Sequence, residues 1–432
     1  MEIEALYEIY RANPKVITDS RVPVPGSLFF GLKGDHFNGS LYAHDALNGG
    51  SSFAVVDDPS VVRDERYILV ENSLGTLQEL AMFHRSRLSI PLIAITGSNG
   101  KTTTKELMAK ILSTQYPTQA TRGNLNNHIG VPLTLLGIDD SAEMGIIEMG
   151  ANHAGEIGRL CKIAKPDYGL ITNIGMAHLE GFGSFEGVKK AKKELYDYIE
   201  ENGGLIFVNE QDKTLEGMLD EFDGGIVWYG GSGESVIRGE VLEADPLLRI
   251  SLDITGYGLL DVETGLVGSY NLENILAAAS IGLHFGISPA HLKKSIQHYR
   301  TDNNRSQQLN TDHNVLILDA YNANPTSMRL AIENFRSLIH PDKSVILGDM
   351  LELGEVTVEA HREVVDLLEA AGFREVILVG PFFANTEVPG SYHVFSSVAE
   401  CAAWLEEHSL HDRMILLKGS RGIGLEKLLG IL

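Results

Sequence analysis

The chain has 432 residues, 44% hydrophobic and 22% charged, with 45 glycines and 14 prolines. This composition excludes a small disulfide scaffold and long disordered or collagen-like tracts, and at about 150 residues per domain it leaves room for roughly three domains. With 58 Asp and Glu against 35 Lys and Arg the formal charge is −23, which excludes non-specific nucleic-acid binding and requires any phosphate to be held by local geometry. Cys161 and Cys401 form neither a CxxC nor a zinc-ligand spacing, as fits a reducing cytoplasm. The N-terminus, Met1-Glu2-Ile3-Glu4, is acidic where a signal peptide would be basic, and no apolar run approaches the ~18 residues of a membrane span. A soluble, unprocessed cytoplasmic protein without membrane insertion is expected.

In chain order, short strands at 27–32, 53–57 and 67–70 are punctuated by Pro23, Pro25, Gly26 and Gly49-Gly50. Leu77, Leu80, Ala81 and Phe83 predict a connecting helix, so a small N-terminal α/β domain is expected over 1–88. Strands at 92–95, 145–149, 168–172 and 205–208 alternate with helical patterns from about residue 102 and over 187–199. Such alternation predicts a parallel sheet covered by helices, a central P-loop ATPase-type domain over 89–300. Short β-like pieces with Gly pairs over 225–265 and a helix over 271–285 close it. A third set of strands, 315–319, 344–348, 376–380 and 414–418, followed by a Gly-rich turn and a last helix, predicts a C-terminal Rossmann-like domain over 301–432. The polar segment 298–306 reads as its hinge.

The run Gly97-Ser98-Asn99-Gly100-Lys101-Thr102-Thr103 follows a buried strand and opens a helix. Glycines let backbone N–H groups converge on phosphate oxygens, the lysine reaches the terminal phosphates, and the Thr102 hydroxyl can ligate Mg²⁺. Ile95 stands where the general GxxxxGK[ST] pattern has its first glycine, so the loop is a variant; the bland alternative is a Gly-rich turn at a helix start.

Other candidates sit at strand ends or helix starts. Glu148 ends the 145–149 strand on the side of the loop, either as a Mg²⁺ carboxylate or as a solvated strand end. His178 lies in a Gly-rich loop and reads alone as an ordinary loop histidine. Lys192 lies on a helix whose apolar stripe is Val188, Ala191, Leu195 and Tyr198, and periodicity alone puts its lysines on a solvated face. Asn271 and Asn274, three residues apart, share one helix side, with capping by Asn271 as the alternative. Asp319-Ala320-Tyr321-Asn322-Ala323-Asn324-Pro325 follows a strand where open α/β sheets bind ligands, or is an Asx-Pro turn. Lys418-Gly419-Ser420-Arg421 forms an anion-binding corner, and a helix cap near Asp349 accounts for the run 348–354.

The stretch from Thr96 to Glu106 resembles the phosphate loop of the Mur ligase family, ATP-dependent amide-bond ligases of peptidoglycan synthesis, and the resemblance extends from about residue 18 to 424. It implies ATP and Mg²⁺ as cofactors, with Lys101, Glu148, His178 and Lys192 catalytic. It also implies a metal held by Thr102, Glu148, His178 and a carbamylated Lys192. The nucleotide side would be 97–103 with Asn271 and Asn274 toward the adenine, Asp319 at the ribose, Arg305 toward the phosphates, and Tyr321 as a further nucleotide contact. The substrate side would be Ser20 and Arg21 for the uridine nucleotide, then Asn126, Asn127, Asn152, His153, Asn322, Asn324, Lys418, Ser420 and Arg421; the run 348–354 also matches the family, with the helix cap near Asp349 as the equal alternative.

The sequence departs from the family at Ser27, where Asp is usual, at Tyr270, where His is usual, and at Asn304, where Gly precedes the arginine. The run 319–328 with 149–153, and the lack of an Asp-Asn-Pro-Arg box, imply addition of D-alanyl-D-alanine to UDP-N-acetylmuramoyl-tripeptide through an acyl phosphate. A monomer is expected because one chain supplies every motif. The rivals are another Mur-type or folylpolyglutamate-type amide ligase and, in a different class, a nucleotide-gated binding protein.

Overall fold

A computed structural model describes every residue of the chain except Asp35 and Asp302. The first sheet is parallel, in the order Lys15–Ile17, Ser27–Phe30, Phe53–Val56, Tyr67–Leu69. It contains the three strands expected from the sequence together with an edge strand and a leading helix, Ile3–Ala12, that were not expected. Helix Ser73–Arg85, capped by the Asn72 side chain, then leads into the second sheet. The two sheets share an apolar cluster that runs from Leu6, Phe30 and Leu80 to Leu92, Leu135 and Ile147. The Tyr10 hydroxyl donates to the Leu136 carbonyl at 2.7 Å across this contact.

The second sheet has six parallel strands in the order Gly225–Tyr229, Leu205–Asn209, Tyr168–Ile171, Leu92–Thr96, Met144–Glu148, Thr118–Ala120. Its near-continuous apolar strands are buried on both faces, as parallel sheets require. Leu92, Ala94, Ile147, Ile171, Ile206 and Val208 face the cluster shared with the first sheet. Their neighbours Ile93, Ile95, Ile146, Leu170 and Phe207 face helices Lys101–Leu112 and Asn271–His284. The chain leaves the central strand Leu92–Thr96, visits the edge at Thr118–Ala120, returns to Met144–Glu148 and only then crosses to Tyr168–Ile171. That reversal puts residues 97–104 at a topological switch point, where ligands bind in this architecture.

Residues 225–265 depart from the expectation of short pieces. Gly225–Tyr229 is the edge of the parallel sheet, while Ile237–Ala244, Leu247–Ile254 and Gly258–Val267 form an antiparallel meander. Leu248, Ile250, Leu252 and Ile254 alternate on its buried face.

The third sheet, in the order Gln307–Asn310, Asn314–Asp319, Arg413–Lys418, Lys343–Gly348, Glu375–Val379, His393–Phe395, is parallel except for its first edge strand. The expected last helix is a six-residue 3₁₀ segment, Leu425–Gly430. Gly424, at φ +80, and Gly430 bracket too few residues to carry an α-helical nucleus. The expected hinge is tethered: the Tyr299 hydroxyl donates to Glu106 at 2.7 Å and Asn303 Nδ2 donates to both oxygens of the same carboxylate at 3.0 and 2.9 Å.

Candidate active site

Three adjacent strand ends of the second sheet meet at residues 97–104. Gly97 and Gly100 take φ +141 and +80, and each is held there by contact. A Cβ on Gly97 would lie 2.0 Å from Thr172 Oγ1, and one on Gly100 2.2 Å from Asn274 Oδ1. Thr172 and Asn173, just past the neighbouring strand, bind the loop backbone: Thr172 Oγ1 donates to the Asn99 carbonyl at 2.6 Å, and the Asn99 N–H donates to Asn173 Oδ1 at 3.0 Å. Lys101 Nζ donates to the Gly97 carbonyl at 2.6 Å. Burial pulls its pKa down to about 8 despite the attraction of Glu148, with Arg305 adding repulsion.

On the other flank the Glu148 carboxylate is buried, 2% exposed. Its Oε1 accepts from Asn126 Nδ2 at 2.9 Å and Thr102 Oγ1 at 3.3 Å. Its Oε2 is buried without a hydrogen bond, facing Lys105 Nζ at 3.7 Å. Lys105 offsets its charge without hydrogen-bonding it, and with the adjacent hydroxyl this oxygen makes a pair of hard oxygen donors suited to Mg²⁺. Among the described residues no three His, Cys, Asp or Glu side chains converge as a metal cage. This also fits an ion that keeps waters and substrate oxygens in its shell.

Lys192 is 2% exposed and not on the solvated face that periodicity gives. Its Nζ sits 5.5 Å from the Phe182 ring centroid and, among the described residues, makes no hydrogen bond or salt bridge. Burial lowers its pKa to about 7, helped by repulsion from Lys101 and opposed by Glu156 and Glu194. Those two carboxylates hold the neighbouring loop. Glu156 accepts the N–H groups of Asn152 and His153 at 2.7 and 3.1 Å, and Glu194 those of Gly155 and Gly158 at 2.6 and 2.8 Å.

The third sheet closes the other side. Lys418, 1% exposed, donates to Asp319 Oδ2 at 2.6 Å and to the Asn322 carbonyl at 3.3 Å. The Arg305 guanidinium stacks over the Tyr321 ring at 3.8 Å, with Arg421 near the same ring at 5.4 Å. Arg305 Nε is buried without a hydrogen-bond partner among the described residues. Asn324 Nδ2 donates to Asn99 Oδ1 at 2.8 Å, and its Oδ1 caps helix Pro325–Ser337. This amide joins the third sheet to the loop 97–104. A second junction is the close contact of His178 Nδ1 with Glu352 Oε2, and the His178 imidazole holds the Glu352 carboxyl below its ordinary range.

Many of these groups line one cavity of about 560 Å³ between the second and third sheets. Of the residues expected from the sequence, 98–103, Glu148 and His178 reach it from the second sheet. Asn126, Asn127 and Asn152 also reach it from that side, and Arg305, Asp319, Tyr321, Asn322, Asn324 and Lys418 from the other. Asn271 and Asn274 reach it as well, but their amides are engaged by protein: Asn271 Nδ2 donates to the Val267 carbonyl at 2.8 Å and Asn274 Nδ2 to Asn271 Oδ1 at 2.8 Å.

Gly97, His153, Lys192, Ser420, Arg421, Ser20 and Arg21 do not line the cavity. Ser420 Oγ instead accepts the Leu351 N–H at 2.9 Å. Arg21, with 86% of its side chain exposed, pairs with Asp19 in the loop between the first two strands. Arg159, Ser306 and Glu352 line the cavity without having been singled out as site residues. Arg159 lies one turn into a helix with no motif around it. Glu352 lay inside the run 348–354, where Asp349 does not cap the segment that follows it but accepts the N–H groups of Phe382 and Phe383, at the start of the short helix Pro381–Ala384, at 2.8 and 2.9 Å.

A variant phosphate loop at a switch point, facing a second α/β unit across a polar cavity, defines a nucleotide-using enzyme of the Mur ligase kind. Residues 95–282 match the Mur ligase middle domain and residues 304–421 the Mur ligase glutamate ligase domain, and the chain belongs to the Mur ligase family. Within the family it is similar to the UDP-N-acetylmuramoyl-tripeptide--D-alanyl-D-alanine ligase of Bacillus subtilis, at 32% identity over 96% of this chain and 92% of that one. The Escherichia coli enzyme of the same name is 33% identical, over 95% and 92% of the two chains. Among solved structures, MurF from Acinetobacter baumannii superposes with a TM-score of 0.86 at 30% identity, over 98% of this chain and 97% of that one. MurF from Thermotoga maritima in complex with ADP gives 0.84 at 25% identity, over 97% of each.

Proposed function

We propose that this chain joins D-alanyl-D-alanine to UDP-N-acetylmuramoyl-tripeptide with hydrolysis of ATP to ADP and phosphate, in peptidoglycan precursor synthesis. The observation that carries this reading is the cavity that brings Lys101, Glu148, Arg305 and Lys418 together from two sheets, in a chain alignable almost end to end with ligases of that name. Three units divide the work: residues 1–88 toward the uridine nucleotide, where Ser20 and Arg21 offer polar contacts, 89–300 for ATP, and 301–432 closing over both. The chain works as a cytoplasmic monomer on water-soluble precursors, and no helix among the described residues is long and apolar enough to cross a membrane.

The chemistry follows from the side chains. The terminal carboxylate of the tripeptide attacks the γ-phosphorus of ATP, ADP leaves, and an acyl phosphate forms. The amine of the dipeptide then attacks the acyl carbon, phosphate departs, and the amide remains after loss of a proton. Lys101 and Arg305 offset the charge that spreads over the transferring phosphoryl oxygens. Backbone N–H groups of 97–102 and the helix that starts at Lys101 orient the phosphates. Asp319 stands at the ribose side with Tyr321 beside the nucleotide, while Asn126, Asn127, Asn152 and Asn322 line the cavity toward the peptide side. Asn324, with both ends of its amide engaged, acts as a strut between the units.

Mg²⁺, when bound, supplies Lewis-acid stabilisation of the phosphoryl oxygens. Thr102, Glu148 and His178 are the residues that would hold it. Lys192 completes the set as a carbamate. Its neutral amine, available at neutral pH because burial lowers its pKa to about 7, attacks CO₂ and loses a proton to become a carboxylate-like oxygen donor.

Phosphate release is the test, measured with ATP, Mg²⁺ and UDP-N-acetylmuramoyl-tripeptide, with and without D-alanyl-D-alanine, and with the product weighed by mass spectrometry. Release that requires both substrates and yields the pentapeptide nucleotide is expected. Release indifferent to the dipeptide would overturn the assignment of the acceptor.

A further inference from the structure

Glu352 lies within the run 348–354 but carries no assigned role so far. It stands at the tip of a loop anchored at both sides within the third sheet's unit. The Met350 N–H donates to His361 Nε2 at 3.1 Å and the Leu351 N–H to Ser420 Oγ at 2.9 Å, while His361 and Asp349 are fully buried beneath it. The tip reaches across to the second sheet's unit. There Glu352 pairs with His178, the Glu180 N–H donates to the Glu352 carbonyl at 3.4 Å, and a Cβ on Gly354 would come within 3.2 Å of Glu180 Cα.

Both partners of this contact have left-handed backbones, φ +54 for His178 and +63 for Glu352. Non-glycine residues rarely adopt that conformation, and it persists only where surrounding structure imposes it. Two such residues meeting side chain to side chain across an interface, at the rim of the cavity they both line, is not what two solvated loops do. A carboxylate on one imidazole nitrogen fixes which nitrogen carries the proton and how the ring is turned, and so what the other nitrogen presents.

We propose that Glu352 is a positioning residue of the ligation reaction: its carboxylate holds Nδ1 of His178, and so turns Nε2 toward the cavity when the C-terminal unit is seated. The inference rests on the reading of the cavity as the ligase site. Assembly of the reaction centre is thereby tied to docking of the C-terminal unit, because the residue that aligns His178 comes from the other side of the interface.

The test compares Glu352→Gln and Glu352→Asp with Glu355→Gln, a charge change in the same loop at a residue outside the site. Two quantities are read. One is the rate of amide formation with its KM values. The other is the imidazole ¹⁵N spectrum of histidine-labelled full-length protein with ADP and Mg²⁺, the His178 signal being assigned by its loss in His178→Gln. Glu352→Gln lowers kcat by about 10–100-fold with KM for ATP changed less than about twofold, and converts the His178 signal from an Nδ1-protonated form to a mixture of tautomers. Glu352→Asp recovers part of both, and Glu355→Gln alters neither.

Unchanged kcat overturns the proposal. So does a fall in kcat with an unchanged His178 signal, since Glu352 would then act elsewhere. Failure of the ligase reading looks different: the unaltered chain makes no amide, while the His178 signal still responds to Glu352→Gln.

Discussion

Lys101 and Lys418 stand at the carboxyl ends of the two six-stranded sheets and face one cavity from opposite sides, yet their charges are put to different uses. Lys418 is 1% exposed and closed onto Asp319 at 2.6 Å, so its charge is neutralised within its own unit and fixes the Asp319 carboxylate. Among the described residues Lys101 has no carboxylate in bonding distance; it donates to the carbonyls of its own loop and has its pKa drawn down to about 8. A desolvated ammonium held only by neutral dipoles gains most from an incoming polyanion. The third sheet is therefore a finished scaffold, while the second is a site whose electrostatics are completed by ligand.

Substituting each lysine's circle of contacts sharpens that difference. Lys101→Ala should lower ligation by about 10³-fold or more, since a donor to the transferring phosphoryl group is removed, while binding of the uridine substrate, followed by calorimetry, persists. Lys192→Ala should lower turnover by about 10–100-fold, and short carboxylates such as formate or acetate should restore part of it by refilling the missing ligand; restoration by chloride at equal strength would remove the carbamate from the account.

The pH dependence of Lys192 has a definite sign. Its folded pKa of about 7 lies below that of the unfolded chain, which therefore binds more protons above pH 7. The burial penalty is thus complete below about 7 and is relieved as pH rises. Nucleotide-free protein should gain thermal stability from pH 7 to 9, and Lys192→Met should flatten that gain. Asp319→Asn, which leaves Lys418 buried without a counter-charge, should cost about 3 kcal/mol of stability, read as a lowered midpoint in urea, with a smaller effect on turnover than Lys101→Ala.

The phosphate-loop half of this comparison was legible in the sequence because its parts are contiguous: an apolar strand, glycines at positive φ, a lysine and a helix start lie within about ten residues. Asp319 and Lys418 were legible as strand ends, though their pairing across the sheet was not. Lys192 was misread by periodicity, since a lysine one position from the apolar stripe reads as solvated unless the neighbouring loop is known to cover it. The antiparallel meander shows the alternation of Leu248, Ile250, Leu252 and Ile254 plainly, but Gly pairs nearby read as breaks, and strands of eight and ten residues were taken for fragments. Glu352 and His178 are distant in sequence, and nothing in either loop announces the other; only the docking of two units brings them together. Asn271 and Asn274 illustrate the reverse, a pair at the expected helix start whose amides bind the protein itself.

The central claim is that the cavity activates a carboxylate by phosphorylation. Supplying the tripeptide nucleotide with ¹⁸O in both oxygens of its terminal carboxylate, and weighing the phosphate released as the dipeptide is joined, tests it directly. One ¹⁸O per phosphate, with the other retained in the new amide, is the result expected of an acyl phosphate. Phosphate free of label would contradict the account, because the carboxylate oxygen would never have been bonded to phosphorus.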